Sequence, residues 1–374
     1  MWYDTRITQL LNIKYPILLG PMGGGFSTPA LLAAVSNAGG LGSYGAYTLT
    51  PAEILAADKE IKAATNKPYN INLWVNDVDK SLKHLSYEDI ENVKQLFKPY
   101  FDELGIPLPE VSANIPSKFE SQVEALFKIH PAVFSFIFGI PAKEILDECT
   151  KLGIKTMGAA TTLDEALALE EANVDAIVAA GFEAGGHRPS FLKPAIQSLT
   201  GTFALVQQLK HKISKPVIAA GGIVNAKGIA AALALGADAV QVGTAFLACE
   251  ESGATPMHRQ VLFSDAAKYT VLTKSLTGRL GRTISTRISE DVPYQMAVLP
   301  FPLQAKFLSP LRTAALAQGK ADLINFWAGQ GTPYIKHTKA AGLMQSLINE
   351  TPVIMHGRDA AIDDIITGLS DVAL

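Results

Sequence analysis

Ala176-Ile177-Val178-Ala179-Ala180-Gly181-Phe182-Glu183-Ala184-Gly185-Gly186-His187-Arg188 is a short apolar run of strand length that breaks into a loop of small residues, and a helical pattern follows it. A strand of Ile, Val and Ala with no polar alternation suits burial on both faces, as in a parallel sheet covered by helices. Working outward, the same unit recurs. Pro216–Ala219 runs into Ala220-Gly221-Gly222-Ile223, and Ala239–Val242 runs into Gly243-Thr244. Pro16–Leu19 runs into Gly20-Pro21-Met22-Gly23-Gly24-Gly25. Further strand-length runs lie at Leu41–Ser43, Tyr69–Trp74, Val133–Phe136 and Lys155–Gly158. Strands alternating with helices of ten to fifteen residues mark βαβ units, and eight of them are what a closed (β/α)8 TIM barrel requires.

The intervening helices carry their own start signals. Thr28-Pro29 and Thr50-Pro51-Ala52-Glu53 place an N-cap before a proline, the second with the acid of a capping box, and Thr162-Leu163-Asp164-Glu165 opens another helix. Two segments break the rhythm. Residues 76–130 read as a helical insertion between strands three and four, jointed at Gly105-Ile106-Pro107, and residues 251–339 read as a second, mostly helical domain over the barrel mouth. The barrel then spans residues 1–250. Residues 340–374 are expected to return as C-terminal helices, with amphipathic Ala361–Leu374 closing the barrel wall.

Composition narrows the function classes. Of 374 residues, 48% are hydrophobic and 18% charged, which supplies a large core and excludes a disordered chain. The net charge of −3, with no basic stripe, argues against nucleic acid as a partner. Asp4 and Arg6 interrupt any signal-peptide core, and Ile229–Cys249 contains Gly236, Asp238, Gln241 and Gly243, so it reads as a buried helix and strand rather than a membrane span. Two cysteines, Cys149 and Cys249, are too few for a disulfide framework and fit a reducing, cytoplasmic setting. The sequence leaves homo-oligomerisation open.

In such a barrel the active site sits at the C-terminal ends of the strands, where this chain places its glycine-rich loops. Glycines without Cβ let backbone N–H groups approach an anion, and the loops after the seventh and eighth strands are the usual phosphate position. His187 is the titratable residue of these loops best suited to acid, base or donor roles near neutrality. Glu183 is either a second polar group of the site or a loop support paired with Arg188 or Lys193. For most of the other histidines, His84, His130, His211, His258, His337 and His356, a surface or capping role is expected. No His/Cys/Asp spacing suggests a metal, and no G-x-S-x-G elbow suggests a serine hydrolase.

Taken together, Gly20-Pro21-Met22-Gly23-Gly24, Asn70-Ile71-Asn72-Leu73-Trp74, Phe136-Ile137-Phe138-Gly139-Ile140-Pro141, Glu183-Ala184-Gly185-Gly186-His187-Arg188, Ala220-Gly221-Gly222-Ile223 and Gln241-Val242-Gly243-Thr244 resemble the nitronate monooxygenase (2-nitropropane dioxygenase) family. Thr277-Gly278-Arg279, Arg282-Thr283-Ile284 and Trp327-Ala328-Gly329-Gln330-Gly331 extend the resemblance beyond the barrel. The Glu-Ala-Gly-Gly-His-Arg string is shared with flavin-dependent enoyl-ACP reductases and NADH:quinone reductases. The resemblance implies a TIM barrel with non-covalent FMN and no metal. It implies Met22 and Gly23 beside the isoalloxazine ring and Asn72 hydrogen-bonded to it. Around the flavin or its phosphate it implies Ala180, Gly181, Gly185, Gly186, Gly221, Gly222, Gln241, Val242, Gly243 and Thr244.

His187 is implied as the catalytic residue, oxygen as the oxidant, and a small alkyl nitronate, propionate 3-nitronate among the candidates, as the substrate converted to a carbonyl compound and nitrite. The alternative is an NAD(P)H-dependent FMN reductase acting on quinones or enoyl thioesters. Three positions depart from the family pattern: Ala180 stands in place of a Gln, Ile137 in place of a His, and Pro189 in place of a Gly. Tyr294, Tyr334 and Trp327 are the aromatics that could roof the pocket, the two tyrosines as substrate contacts and Trp327 equally as a core residue of its domain, whereas Lys336, a cation that an anionic substrate could meet, reads more readily as a solvated surface lysine.

Overall fold

A computed structural model describes residues 1–370, with side chains through Gly357. Eight parallel strands form one sheet: β1 (Ile17–Leu19), β2 (Gly42–Gly45), β3 (Tyr69–Trp74), β4 (Val133–Ile137), β5 (Lys155–Ala160), β6 (Ala176–Ala180), β8 (Val217–Ala220) and β9 (Ala239–Val242). The two-residue β7 (Gly186–His187) lies in the loop after β6. Pairing runs β1-β9-β8-β6-β5-β4-β3-β2. A bridge between Leu18 and Leu41, with Leu19 N donating to Leu41 O at 2.9 Å and Leu41 N to Ile17 O at 3.0 Å, joins the two ends into a barrel.

The strands are mostly apolar because each face is covered, with Ser43, Asn70, Asn72 and Ser135 among the buried polar exceptions. Ile17, Ile177, Val217 and Val240 point outward against the helices, while Leu18, Val133, Met157, Ala176, Ile218 and Ala239 fill the interior. The helix Arg6–Leu11, closed by a Thr5/Thr8 capping box, presses Ile7 and Leu11 into that interior cluster and plugs the N-terminal end. Arg6 fastens it through Asp238, 2.8 Å away. The opposite end carries the glycine loops.

One boundary differs from the sequence expectation. Helix Phe119–Ile129 packs on helix Pro51–Ala64 and on β3, so it belongs to the barrel wall, and the insertion is confined to 76–118. Its register is set by apolar Phe119, Val123 and Leu126, the stripe of a wall helix. At the other end, the returning helix begins at Ala340, and Ala340, Leu343, Met344 and Leu347 are its buried face, packed against helices Ala226–Ala234 and Pro29–Asn37. The predicted closing stretch Ala361–Leu374 continues the same helix to Ser370, and its side chains lie outside the described residues.

The segment beyond the barrel is not purely helical. It contributes β10 (Thr270–Thr273) and β11 (Gly281–Ile284), and β11 pairs antiparallel with β7, Gly281 opposite His187 and Arg282 opposite Gly186. These strands are too short to show a period of two, and β7 is made of residues that read as loop. Among the described residues no helix is long and apolar enough to cross a membrane.

The Thr162 N-cap accepts from Glu165 N at 3.3 Å, but the Glu165 carboxylate does not complete a capping box. It is fully buried and accepts from Thr161 N (2.7 Å), Thr161 Oγ1 (2.6 Å), Phe191 N (2.6 Å) and Leu192 N (3.1 Å), tying the loop after β5 to the loop after β6. Glu165→Ala strands several buried donors at once and is expected to destabilise the fold by about 3 kcal/mol. Chemical denaturation measures this, and a change within about 0.5 kcal/mol, the range of ordinary surface substitutions, contradicts it.

Candidate active site

A cavity of about 220 Å³ opens at the C-terminal end of the barrel. Its floor is the last inward-facing layer, Ala159, Val178, Ala180 and Ala220, whose small side chains leave space where larger ones would fill the barrel. Its sides are the loops Gly20–Gly23, Gly185–His187 and Gly221–Val224 with Asn72, Gln241, Gly243 and Thr244, and Trp327, Gly329 and Gly331 cover it from beyond the barrel. A second compartment of about 110 Å³ adjoins it and shares Gly23, Phe26, Tyr47, His187 and Trp327.

One end of the larger cavity is built for an anion. Gly221 and Gly222 hold φ of +121° and +70°, which L side chains rarely adopt, and a Cβ at Gly243 or Gly186 would project into open space. The amides of Gly222, Gly243 and Thr244 have no hydrogen-bond partner among the described residues, so they are available to a ligand. Glu183 stands behind this loop rather than in the cavity. Its carboxylate accepts from Thr202 N (2.9 Å) and Thr202 Oγ1 (2.9 Å), capping the helix Thr202–Lys212. Lys193 faces Asp164 instead, 3.9 Å away.

Across the cavity, Asn72 belongs to a buried polar ladder inside the barrel. Asn72 Nδ2 donates to Ser135 Oγ (2.9 Å), and Asn70 Nδ2 donates to Ser135 Oγ (2.8 Å) and Ser43 Oγ (3.1 Å). One N–H of the Asn72 amide is thus engaged on the strand side, leaving the second N–H and the Oδ1 acceptor for a ligand. Met22 N donates to Ser27 Oγ at 3.0 Å, folding the first loop back on itself. Gly23 is required for a different reason: a Cβ there would collide with the ring of Tyr47. Tyr47 stacks on Trp74 at 3.5 Å between centroids, and Gln122 Nε2 holds its loop by donating to Tyr47 O (2.9 Å) and Leu49 O (2.7 Å).

His187 sits among aromatic rings at the wall common to both compartments. Its ring centroid is 5.3 Å from Trp74, 5.8 Å from Phe301 and 4.9 Å from Trp327. Thr277 Oγ1 lies 2.8 Å from His187 Nε2, in a hydrogen bond whose direction follows the imidazole tautomer, and 3.2 Å from the carbonyl of Arg279. Burial, reinforced by the nearby Arg279 charge, lowers the imidazole pKa to about 3, so the ring is neutral at working pH. The Arg279 guanidinium lies over Phe138 (4.2 Å) and Phe301 (4.5 Å) and is fixed by Asp79 (2.6 Å), with Nη1 unpartnered. Phe138 itself holds φ of +63°, a strained setting for a bulky residue of the kind found at functional sites.

Most of the sequence-nominated residues meet at the larger cavity: His187, Met22, Gly23, Asn72, Ala180, Gly185, Gly186, Gly221, Gly222, Gln241, Gly243 and Thr244 line it, as do Ile137 and Pro189. Gly181 and Val242 do not. Gly181 is buried against Thr202, and Val242 faces the outer core. Tyr294 and Tyr334 line neither compartment, and Tyr334 is 67% exposed, because the chain between them turns its buried apolar residues, not its tyrosines, toward the barrel. Trp327 is the roofing aromatic. Sequence reasoning did not single out Tyr47, Phe138 or Phe301 as site residues, and no local motif marks aromatics that converge only in the folded chain.

His258 also departs from expectation. It is buried, edge-on to Phe26 and Phe326, with Nε2 donating to Trp327 O at 3.1 Å, and it holds the roof. Burial lowers its pKa to about 4. Both cysteines are buried and their thiols pushed up to about 12, so neither is a nucleophile.

Comparison with known proteins gives a consistent picture. The family model described as nitronate monooxygenase matches residues 4–350. A probable nitronate monooxygenase of Staphylococcus aureus (strain Newman) is 37% identical, over 95% of this chain and 99% of that protein. Among solved structures, nitroalkane oxidase from Streptomyces ansochromogenes is 32% identical with a TM-score of 0.85, over 95% of this chain and 99% of that one. FabK from Thermotoga maritima is 27% identical with a TM-score of 0.73, over 96% and 99%.

The two buried imidazoles fix the sign of a pH effect. In the unfolded chain each takes up a proton below about pH 6.5, whereas the folded protein keeps His258 neutral to about 4 and His187 to about 3. Between those limits the unfolded state binds more protons, so stability is lost as pH falls. His258→Gln removes one such group, and its drop in Tm from pH 7 to pH 5 is expected to be smaller than that of the unmodified protein. Equal drops contradict the neutral, buried assignment.

Proposed function

The chain belongs to the nitronate monooxygenase family of oxidoreductases, and from that premise we propose that it oxidises small alkyl nitronates with bound FMN and oxygen, releasing a carbonyl compound and nitrite. Propionate 3-nitronate is one member of the substrate class. The residues present fit the cofactor. Asn72 Oδ1 offers an acceptor to the ring N–H of an isoalloxazine, the alanine floor gives a flat apolar bed, and the free amides of Gly222, Gly243 and Thr244 suit a phosphate. FMN held there supplies the electron acceptor for the substrate.

The observation that carries the reading is the neutral imidazole of His187 at the wall between the two compartments. Nε2 is engaged with Thr277, and a conjugate acid of pKa about 3 holds a proton too weakly to take one from carbon. The site therefore suits a substrate that arrives already deprotonated. His187 orients the nitronate against the flavin and, with the aromatic rings around it, keeps the contact dry. The FabK likeness has the lower identity and TM-score, and an NAD(P)H-dependent reductase finds no separate support in the cavity.

His187→Asn is expected to retain FMN and lose about tenfold to a hundredfold in kcat/KM for propyl nitronate, followed by oxygen uptake and nitrite release. In the unmodified enzyme kcat/KM for the nitronate is expected to stay level from about pH 6 to 8, because His187 does not titrate there. Undiminished turnover in the variant, or a limb near pH 6.5 that the variant abolishes, contradicts the assigned role.

A further inference from the structure

The second compartment runs from His187, Tyr47 and Trp327 at its inner end to Arg312 at its outer end. Between them the wall combines buried Leu276, Leu308, Leu311 and Leu323 with polar Thr277 and Asn325, and no carboxylate lines it. Arg312 projects from helix Ser309–Ala317 and is exposed, and among the described residues its guanidinium has no ion pair or hydrogen bond. Several acids of the surrounding elements are paired with other cations. Asp322 pairs with Arg287 (2.7 Å), Glu103 with Arg287 (2.7 Å) and Lys320 (3.4 Å), and Asp79 with Arg279 (2.6 Å). Asp291 and Glu290 accept from the hydroxyls of Tyr100 and Ser285. Arg312 thus stands at the rim as a cation without an ion pair of its own, near enough to act on the Tyr47 hydroxyl.

We propose that this compartment is the substrate's entry and that Arg312 is the charge that draws the nitronate anion into it, so that preference for the anion over the neutral nitroalkane begins at the rim. The inference rests on the nitronate reading above. A cation at the mouth of an apolar cleft focuses the field and raises the capture rate of an anion, and salt screens the effect within about 8 Å at physiological strength. The same cation does nothing for a neutral molecule of equal size.

The test uses the FMN-loaded enzyme with propyl nitronate. Arg312→Glu is expected to lower kcat/KM for the nitronate about tenfold. It should leave kcat and FMN content within about twofold and remove the decline of kcat/KM with added NaCl that the unmodified enzyme shows. Lys59→Glu, the same charge change on an exposed residue outside both compartments, is expected to do none of this. Ala305→Trp, which fills the compartment but does not touch the larger cavity, is expected to raise KM with FMN content unchanged. If Arg312→Glu behaves as Lys59→Glu does, steering by Arg312 is overturned while the function stands. If Ala305→Trp leaves KM unchanged, the entry route is overturned. If no protein turns over the nitronate, the proposed function falls, and this inference with it.

Discussion

Gly186 and His187, two residues of a barrel loop, hydrogen-bond as a strand to Gly281 and Arg282 from the segment beyond the barrel, and the geometry of the site follows from that seam. Without it the imidazole would sit on a glycine-rich loop with nothing to fix it. The seam is reinforced by buried guanidinium groups. Arg188 donates to Gly181 O (2.6 Å) and Ser198 O (3.0 Å), and Arg282 donates to Phe182 O (2.9 Å), so carbonyls that a loop of this shape leaves unpaired are satisfied by side chains. Pro189 biases Arg188 toward extended backbone, and Arg188 N accordingly continues the seam to Leu280 O at 2.9 Å. The departure from the family pattern at Pro189 is thus compatible with the strand it follows.

The electrostatics of the site are as specific as its shape. A buried cation, Arg279, is held by Asp79 and covered by aromatic rings, and beside it an imidazole is kept neutral. Such an arrangement penalises a second positive charge and favours a negative one. Of the carboxylates on neighbouring elements, Glu103 and Asp322 are engaged with Arg287 and Lys320. A small, flat, anionic substrate is the ligand class this charge pattern suits.

The barrel was legible in the sequence because each strand is a short apolar run bounded by glycines, and a strand buried on both faces leaves no other pattern. All eight barrel strands fall within a few residues of their predicted places. The glycine loops were legible for the same reason, since positive φ at Gly186, Gly221 and Gly222 is a demand that few other residues meet. What was not legible depends on long-range placement. Helix Phe119–Ile129 looked like insertion because a long excursion separates it from β3. The aromatic cage draws Tyr47, Phe138 and Phe301 from three distant segments, and Tyr294 and Tyr334 resembled lid residues only by composition. His258, read as peripheral, proved to be a core group because its partner is a backbone carbonyl that no motif reveals.

Under the proposed function the protein takes electrons from a nitronate and not from a dinucleotide. The most direct measurement is the anaerobic visible spectrum of the flavin-loaded protein, recorded with propionate 3-nitronate in one cuvette and NADH in another. The account predicts that the nitronate alone alters the flavin bands and that NADH leaves them unchanged over the same interval. Bleaching by NADH with no response to the nitronate would contradict it.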